Sequence, residues 1–383
     1  MAFADEYFKK CKNIKELFPQ KNNSNLKICV VIPCYDDFFI FETLNSLNIA
    51  NYKKTEVVVI VIVNSSENCN QSIVENNRLI FNKLEENKNL YNFNLENYII
   101  ENVPKKTAGV GFARKIGMDE AIRKFNVLNN RKGIILSLDA DCLVSTNYFQ
   151  LISDKFNKNK KFGGLVFGYK HNFNNNLFST EEIKACKLYE KYLKYYQDSL
   201  KNIGFPYYFH TIGSCFGFLA ENYIKIGGMP CRQAGEDFYF LQKLAQTTTI
   251  GEITEEIVFP SPRISLRVPF GTGPTVKKII EIGYLEVYNY KLFEILKVFF
   301  LCFDEIYKEE KFNFNKIPIE IIEFSSNKQL AEIIEECKKN SSNQNSFKKR
   351  MFSKFNAFWV IKFLNYFSQN IKYQQVKWFL ENF

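Results

Sequence analysis

The sequence has no Cys-x-x-Cys pair, no zinc-like cysteine spacing, and no uncharged apolar run of the roughly 18 residues that a membrane-spanning helix needs. A structural zinc module and a spanning helix are therefore not expected. Cys11, Cys29, Cys34, Cys69, Cys142, Cys186, Cys215, Cys231, Cys302 and Cys337 mostly sit in apolar company, the pattern of small core residues in a reduced, cytoplasmic protein. No secretory leader is expected either, because the N-terminal stretch MAFADEYFKKCKNIKELF is amphipathic and carries acids. Histidine is scarce, with only His171 and His210 in the chain. There is no internal repeat. Nucleic acid has only the net charge in its favour and no recognition motif, so it is not expected as a partner.

What is present is a chain of 383 residues, 46% apolar, which supports a real core and argues against global disorder. Its length suits one large α/β domain plus an accessory unit. Lysine and arginine total 51 against 41 acids, a net charge of +10 that suits anionic partners such as nucleotide diphosphates, nucleic acid or an anionic membrane surface. Charge alone does not choose among them.

The order of elements is more informative. KICVVIP (27–33) reads as a strand ending at Pro33, followed by the turn CYDD and an amphipathic stretch at 38–50. TEVVVIVIVNSSE (55–67) is the next strand, whose last apolar residue hands over to Asn64. NYIIENV (97–103) is a third strand, and TAGVGFARKIGMDEAIRK a glycine-punctuated loop running into a helix. GGLVFGY (163–169) is a strand, EEIKACKLYEKYLKYYQDSLKN (181–202) a long helix, and GSCFGFLA (213–220) a small-residue strand. GGMPCRQAGEDFYFLQKLAQ (227–246) is a glycine-rich turn into a helix that begins near Glu236. This rhythm predicts a doubly wound, mostly parallel α/β sheet with crossover helices.

ILSLDADCLVS (134–144) completes the set. Ile134, Ile135, Leu136 and Leu138 form an apolar run typical of a strand covered on both faces, and Asp139 and Asp141 fall at its carboxyl end. That edge is where open α/β sheets bind ligands, and an Asp-x-Asp turn offers hard oxygen ligands for a divalent cation holding a diphosphate. Taken alone, the same residues also make an ordinary solvated turn or helix cap.

A strand ending VIPCYDD, a second ending at Asn64, the DAD turn, and AGED opening a late helix stand in that order. The set resembles a family 2 glycosyltransferase with the GT-A fold of the nucleotide-diphospho-sugar transferases, over roughly residues 27–272. The Pro- and Gly-rich stretch 260–274 and the aromatic, charged, helical pattern after it place a boundary near 274, giving a domain at 27–274, preceded by an N-terminal helical segment (1–26) and followed by a helical C-terminal region (275–383). The resemblance implies a UDP- or GDP-sugar donor, a glycan or lipid-linked acceptor, and Mn2+ or Mg2+ as cofactor. Pro33, Cys34 and Tyr35 would pack on the nucleobase, with Asp36 or Asp37 holding base or ribose; alternatively Tyr35 is an edge aromatic and the acids cap a helix. Asn64 stands where the family normally has an aspartate that reads the base.

In AGVGFARKIG, the resemblance gives Gly109, Gly111 and Gly117 the task of letting backbone approach the ligand, and Arg114 that of reaching phosphate or base. Asp139 would hold ribose or sugar, and Asp139 with Asp141 would ligate the cation that neutralises the departing diphosphate. Asp237 would be the base that takes the acceptor hydroxyl's proton in an inverting transfer, with Glu236 either orienting the acceptor or capping the helix. Arg263 and Arg267, in the Pro- and Gly-rich loop 260–274 with Gly271 and Gly273 as hinges, would carry cations onto the diphosphate. The family's histidine in that region is missing. His210 lies near the acceptor side by order, where it is either functional or an ordinary core histidine.

The tail at 348–383 mixes aromatic and basic residues. It either touches an anionic membrane peripherally, on the inner face, or packs Phe352, Phe355, Trp359 and Phe363 against protein, the commoner use of such a stripe. The rival to an enzyme is a sugar-nucleotide-binding protein with a degenerate site, supported by Asn64 and the missing histidine and opposed by intact Asp139, Asp141 and Asp237. A nucleotidyltransferase would want a Gly-rich, Arg/Lys-bearing loop straight after the first strand, where PCYDDFF is acidic and aromatic.

Overall fold

The computed structural model describes residues 2–11, 16–18, 25–50, 52–53, 56–173, 178–232, 235–264, 271–310 and 313–383. The chain divides into two compact units, Met1–Ser179 with Thr211–Pro274, and Thr180–His210 with Thr275–Phe383. The first unit runs α1 (Asp5–Lys10), β1 (Ile28–Cys34), α2 (Ile40–Ile49), β2 (Val57–Ser66), α3 (Gln71–Asn87), β3 (Asn94–Val103) and α4 (Val110–Val127). It continues with β4 (Ile134–Ser137), β5 (Cys142–Val144), α5 (Tyr148–Lys158) and β6 (Phe162–Tyr169). Helix α6 (Thr180–Asn202), which the sequence groups with residues 27–274, falls in the second unit. The first unit resumes with β7 (Phe216–Leu219), α7 (Ala220–Lys225), α8 (Glu236–Thr247) and β8 (Thr249–Pro260).

Eight strands form one mixed sheet in the order β3-β2-β1-β4-β7-β6-β8-β5. β3, β2, β1 and β4 are parallel, β7 is antiparallel to β4 and β6, β8 runs parallel to β6, and β5 closes the edge antiparallel to β8. β1 is buried along its whole length, and β2 down to Ser65, which is why both read as continuous apolar runs. One face carries Ile28, Val30, Ile32, Val59, Val61 and Val63 against Ile40, Leu44, Ile80 and Leu84 of α2 and α3. On the other, α4 lies so close that a Cβ at Gly117 would meet Val31 Cγ1 at 2.5 Å. Burying each such aliphatic side chain contributes about 2 kcal/mol.

Strand β8 has no strand signature in the sequence, because Glu252, Glu255 and Glu256 interrupt its apolar pattern. Pairing to β6 and β5 overrides that weak local preference. The short α1 is docked rather than loose. Asn126 of α4 accepts from Ala4 N (2.7 Å) and donates to Asp5 (2.8 Å), while fully buried Asp119 accepts from Tyr7 Oη (2.6 Å), Tyr223 Oη (2.8 Å) and Lys115 Nζ (2.8 Å).

Helix α9 (Thr272–Ile282) leads to β9 (Tyr284–Val287), α10 (Tyr290–Lys308), α11 (Ile319–Ser325), α12 (Asn327–Lys339), α13 (Gln344–Lys354), α14 (Ala357–Ser368) and β10 (Val376–Phe379). The region 275–383, expected to be helical, also contains two short strands. β9 and β10 pair antiparallel, each too short for its pattern to stand out from helical periodicity. The aromatic stripe of the tail packs inside the second unit: Phe355 meets Phe299 edge-on at 4.9 Å, Phe352 meets Phe303 at 5.1 Å, and Phe363 is fully buried beside Phe324. Each such aromatic pair adds about 1 kcal/mol beyond area burial. Among the described residues, no helix is long and apolar enough to cross one.

Removing the Asp119 carboxylate leaves two buried phenols without an acceptor. Asp119→Ala is expected to lower stability by about 3 kcal/mol, and Tyr7→Phe, which deletes the phenol's bonds to Asp119 and Lys115 but strands no charge, by about 1 kcal/mol, both read from urea unfolding.

Candidate active site

The two aspartates of the DAD turn lie just beyond β4. Cys142 N closes the turn on Asp139 O (3.2 Å), and Thr43 of α2 pins its middle residue by donating to Ala140 O (2.8 Å). Asp139 and Asp141 consequently face the carboxyl edge of the parallel strands, together with the segment that follows β1. There Cys34 Sγ reaches Asp37 O (3.7 Å), Tyr35 is half-buried with its hydroxyl 3.4 Å from Cys69 Sγ, and Pro33 is buried in the strand. Asp36 sits at φ 49 and is held by Asn76 Nδ2 at 2.8 Å.

Arg114, in the first turns of α4, is only 3% exposed and is ion-paired through one terminal nitrogen to Asp139 and through the other to Glu236 at the start of α8. Burial by itself would lower the guanidinium's affinity for its proton, but the charges of Asp139 and Glu236 more than reverse this and hold it cationic. Its Nε is buried without a hydrogen-bond partner. Gly109, the residue before α4, takes φ 148, which an L side chain rarely adopts. Gly111 and Gly117 have a reason other than ligand approach: a Cβ at Gly111 would meet Arg232 O at 2.4 Å, and Gly117 lets α4 rest on β1.

Asp237 follows Glu236 in the first turn of α8 and accepts from Phe238 N (2.7 Å). Burial, with the neighbouring Glu236 charge second, pushes its carboxyl up to about 7, against the opposing pull of Arg114. Glu236 itself is buried and engaged by Arg114, so its position suits holding that arginine better than touching an acceptor.

The second cation of the site is Arg263. The β5–β8 register sets Cys142 opposite Pro260, and Ser261 N donates to Asp141 O (3.1 Å), so the chain leaving β8 passes directly over the DAD turn. Arg263 Nε and Nη2 then reach Asp141 Oδ2 (3.0 and 2.9 Å), and Nη1 reaches Asp37 Oδ1 (3.1 Å), while Nη2 also contacts the second Asp37 oxygen. Asp37 is thus joined to Asp141 through Arg263. Arg267 lies outside the described residues, as does most of the loop between Arg263 and Gly271. His171 is buried with Nε2 3.5 Å from Thr272 Oγ1, and His210 belongs to the second unit.

Asn64 is buried and does not end its strand; β2 continues through a bulge to Ser66. Its backbone carbonyl accepts from Asn77 Nδ2 (3.3 Å), and Asn77 Oδ1 accepts from Asp36 N (2.8 Å). Asn77, fully buried on α3, therefore ties the ends of β1 and β2 together, a role that no local signal in NNRLIF announces. Gly213 is the other residue that sequence reasoning passes over. A Cβ there would stand 2.3 Å from Arg114 Nη2.

No family model and no curated protein sequence matches the chain. Among solved structures, Staphylococcus aureus TarS 1–349 in complex with UDP-GlcNAc is similar at 14% identity over 86% of this chain and 92% of that one, with a TM-score of 0.47. The mannosyltransferase PcManGT from Pyrobaculum calidifontis, in complex with GDP-Man and Mn2+, is similar at 13% identity over 97% of this chain and 88% of that one, with a TM-score of 0.40.

Because Arg114 is held at both ends, it cannot swing away from an added methyl at position 213. Gly213→Ala is expected to cost about 2 kcal/mol in urea unfolding and to lower the melting temperature, whereas the same change at exposed Gly235 would strain only its own turn.

Proposed function

We propose that the chain is a glycosyltransferase of the family 2, GT-A type, moving a sugar from a UDP- or GDP-sugar to an acceptor hydroxyl with inversion. The observation that carries this reading is the shared anchoring of the two halves of the site. Asp139, at the strand edge where a nucleotide diphosphate would lie, and Glu236, beside Asp237, grip the same buried arginine. A donor-side acid and an acceptor-side base are thereby fixed relative to each other, as a single displacement requires.

Asp237 has the properties of the base. With its carboxyl pushed up to about 7, it is basic enough to accept a proton and still substantially ionised near neutral pH. Its carboxylate takes the acceptor hydroxyl's proton as that oxygen bonds to the anomeric carbon; the bond from that carbon to the diphosphate oxygen breaks, and the nucleoside diphosphate leaves with the electron pair. Arg114 orients Asp139 toward ribose or sugar. Tyr35, Pro33 and Cys34 border the space for the base.

A divalent cation fits the donor set at the edge. Asp37 and Asp141 supply hard carboxylate oxygens, and among the described residues no three His, Cys, Asp or Glu side chains gather to hold an ion alone. Such a set suits Mg2+ or Mn2+ shared with phosphate oxygens and water. When bound, the ion would stabilise charge on the leaving diphosphate. A glycan or lipid-linked acceptor in the cytoplasm completes the reading.

Two variants test it. Asp237→Asn should lower turnover by about two orders of magnitude with donor affinity nearly unchanged, and the product should carry inverted configuration. Since only the ionised carboxylate acts as base, wild-type turnover should rise with pH through an apparent pKa near 7, a limb that the variant lacks. Retained configuration, or an Asn variant within a few-fold of wild type, would refute the mechanism. Asp141→Asn should remove the Mn2+-dependent part of UDP or GDP affinity in calorimetry while the circular dichroism spectrum stays unchanged; equal metal-linked affinity in both proteins would remove Asp141 from the cation site.

A further inference from the structure

The Asp37–Arg263–Asp141 cluster holds two carboxylates from different elements against one guanidinium. Asp37 comes from the segment after β1 and is only 4% exposed, and Asp141 comes from the turn between β4 and β5. One nitrogen, Arg263 Nη2, contacts both carboxylates, so the two acids stand close enough to share one positive group. Two carboxylates at that spacing repel one another unless a cation is present. We infer that Arg263 is a resident counter-cation, seated where a divalent ion carrying the donor's diphosphate would sit, so that ion and diphosphate enter together and displace it.

Three observations support this inference, which rests on the nucleotide-sugar reading of the site. First, the guanidinium engages Asp141 through two nitrogens (3.0 and 2.9 Å) and Asp37 through two more contacts, leaving an incoming ion to compete for oxygens already in use. Second, with no third protein ligand gathered among the described residues, a bare ion gains only two carboxylates, too few to outcompete a guanidinium tethered beside them. The diphosphate supplies the missing oxygens. Third, Arg263 is tied to the site by its own chain, through the Ser261 N to Asp141 O bond, and remains 19% exposed. Once released it stays within reach of the phosphates, whose oxygens accept a planar fork as well as a carboxylate does. Arg263 thus exchanges carboxylate partners for phosphate partners on loading. Asp37 becomes a cation ligand in this account, not a reader of base or ribose.

The test uses the full chain and follows free Mn2+ by electron paramagnetic resonance. Arg263→Gln should bind Mn2+ alone about tenfold more tightly than wild type, a coupling of ordinary size for two sites in contact. Addition of UDP should bring wild type close to the variant, because the diphosphate completes the shell in both. Asp141→Asn placed in the Arg263→Gln background should abolish the gain. If Arg263→Gln does not give a native circular dichroism spectrum, Arg263→Lys takes its place: it keeps a charge but cannot fork between the two acids, and a smaller gain is expected. Mn2+ affinity equal to or below wild type in the folded variant, or a gain that survives Asp141→Asn, overturns the assignment. Should Arg263→Gln gain Mn2+ affinity while no form of the protein binds UDP or GDP, the nucleotide reading fails and the counter-cation assignment stands.

Discussion

A guanidinium enclosed by protein has to be neutralised where it lies, and Arg114 meets that demand with Asp139 on one side and Glu236 on the other. A buried guanidinium left with no carboxylate partner typically costs about 3–5 kcal/mol, because its charge is then without compensation. The rest of the site depends on this constraint. The start of α4, the turn beyond β4 and the start of α8 are held at one point, and Gly213 must stay bare to leave room for the arginine. Asp237 is carried to its place by the residue next to it. Its basicity follows from the same arrangement, since burial and Glu236 raise its carboxyl while Arg114 tempers the rise.

The second arginine works differently. Arg263 is partly exposed, and its attachment to Asp141 comes from sheet register, with Cys142 opposite Pro260. Arg114 therefore acts as a fixed strut and Arg263 as an exchangeable ion. The difference lies in solvation of the two guanidinium groups themselves: water reaches Arg263, which is 19% exposed, but not Arg114, which is enclosed.

The legible parts of the fold were those whose signal is local. β1 and β2 are continuous apolar runs because both faces are covered; α8 starts at Glu236 as the AGED turn implies; the DAD turn ends β4. β8 was illegible for the opposite reason: three glutamates mask a strand stabilised by partners far away in sequence. β9 and β10 are four residues each, too short for alternation to separate them from helix. Asn64 looked like a strand terminus because the apolar residues stop there, yet the backbone continues through a bulge that composition does not encode.

By itself, the sequence determined that this chain is an α/β protein with acids at a sheet edge and an acid pair opening a late helix, because strand and helix signals and turn chemistry are written in neighbouring residues. Only the tertiary structure decided which acids share a cation. Asp139 with Glu236 and Asp37 with Asp141 are joined across 97 and 104 positions of chain, through Arg114 and Arg263. Such pairings are set by strand order and register, long-range hydrogen-bond geometry that leaves no mark in any local stretch.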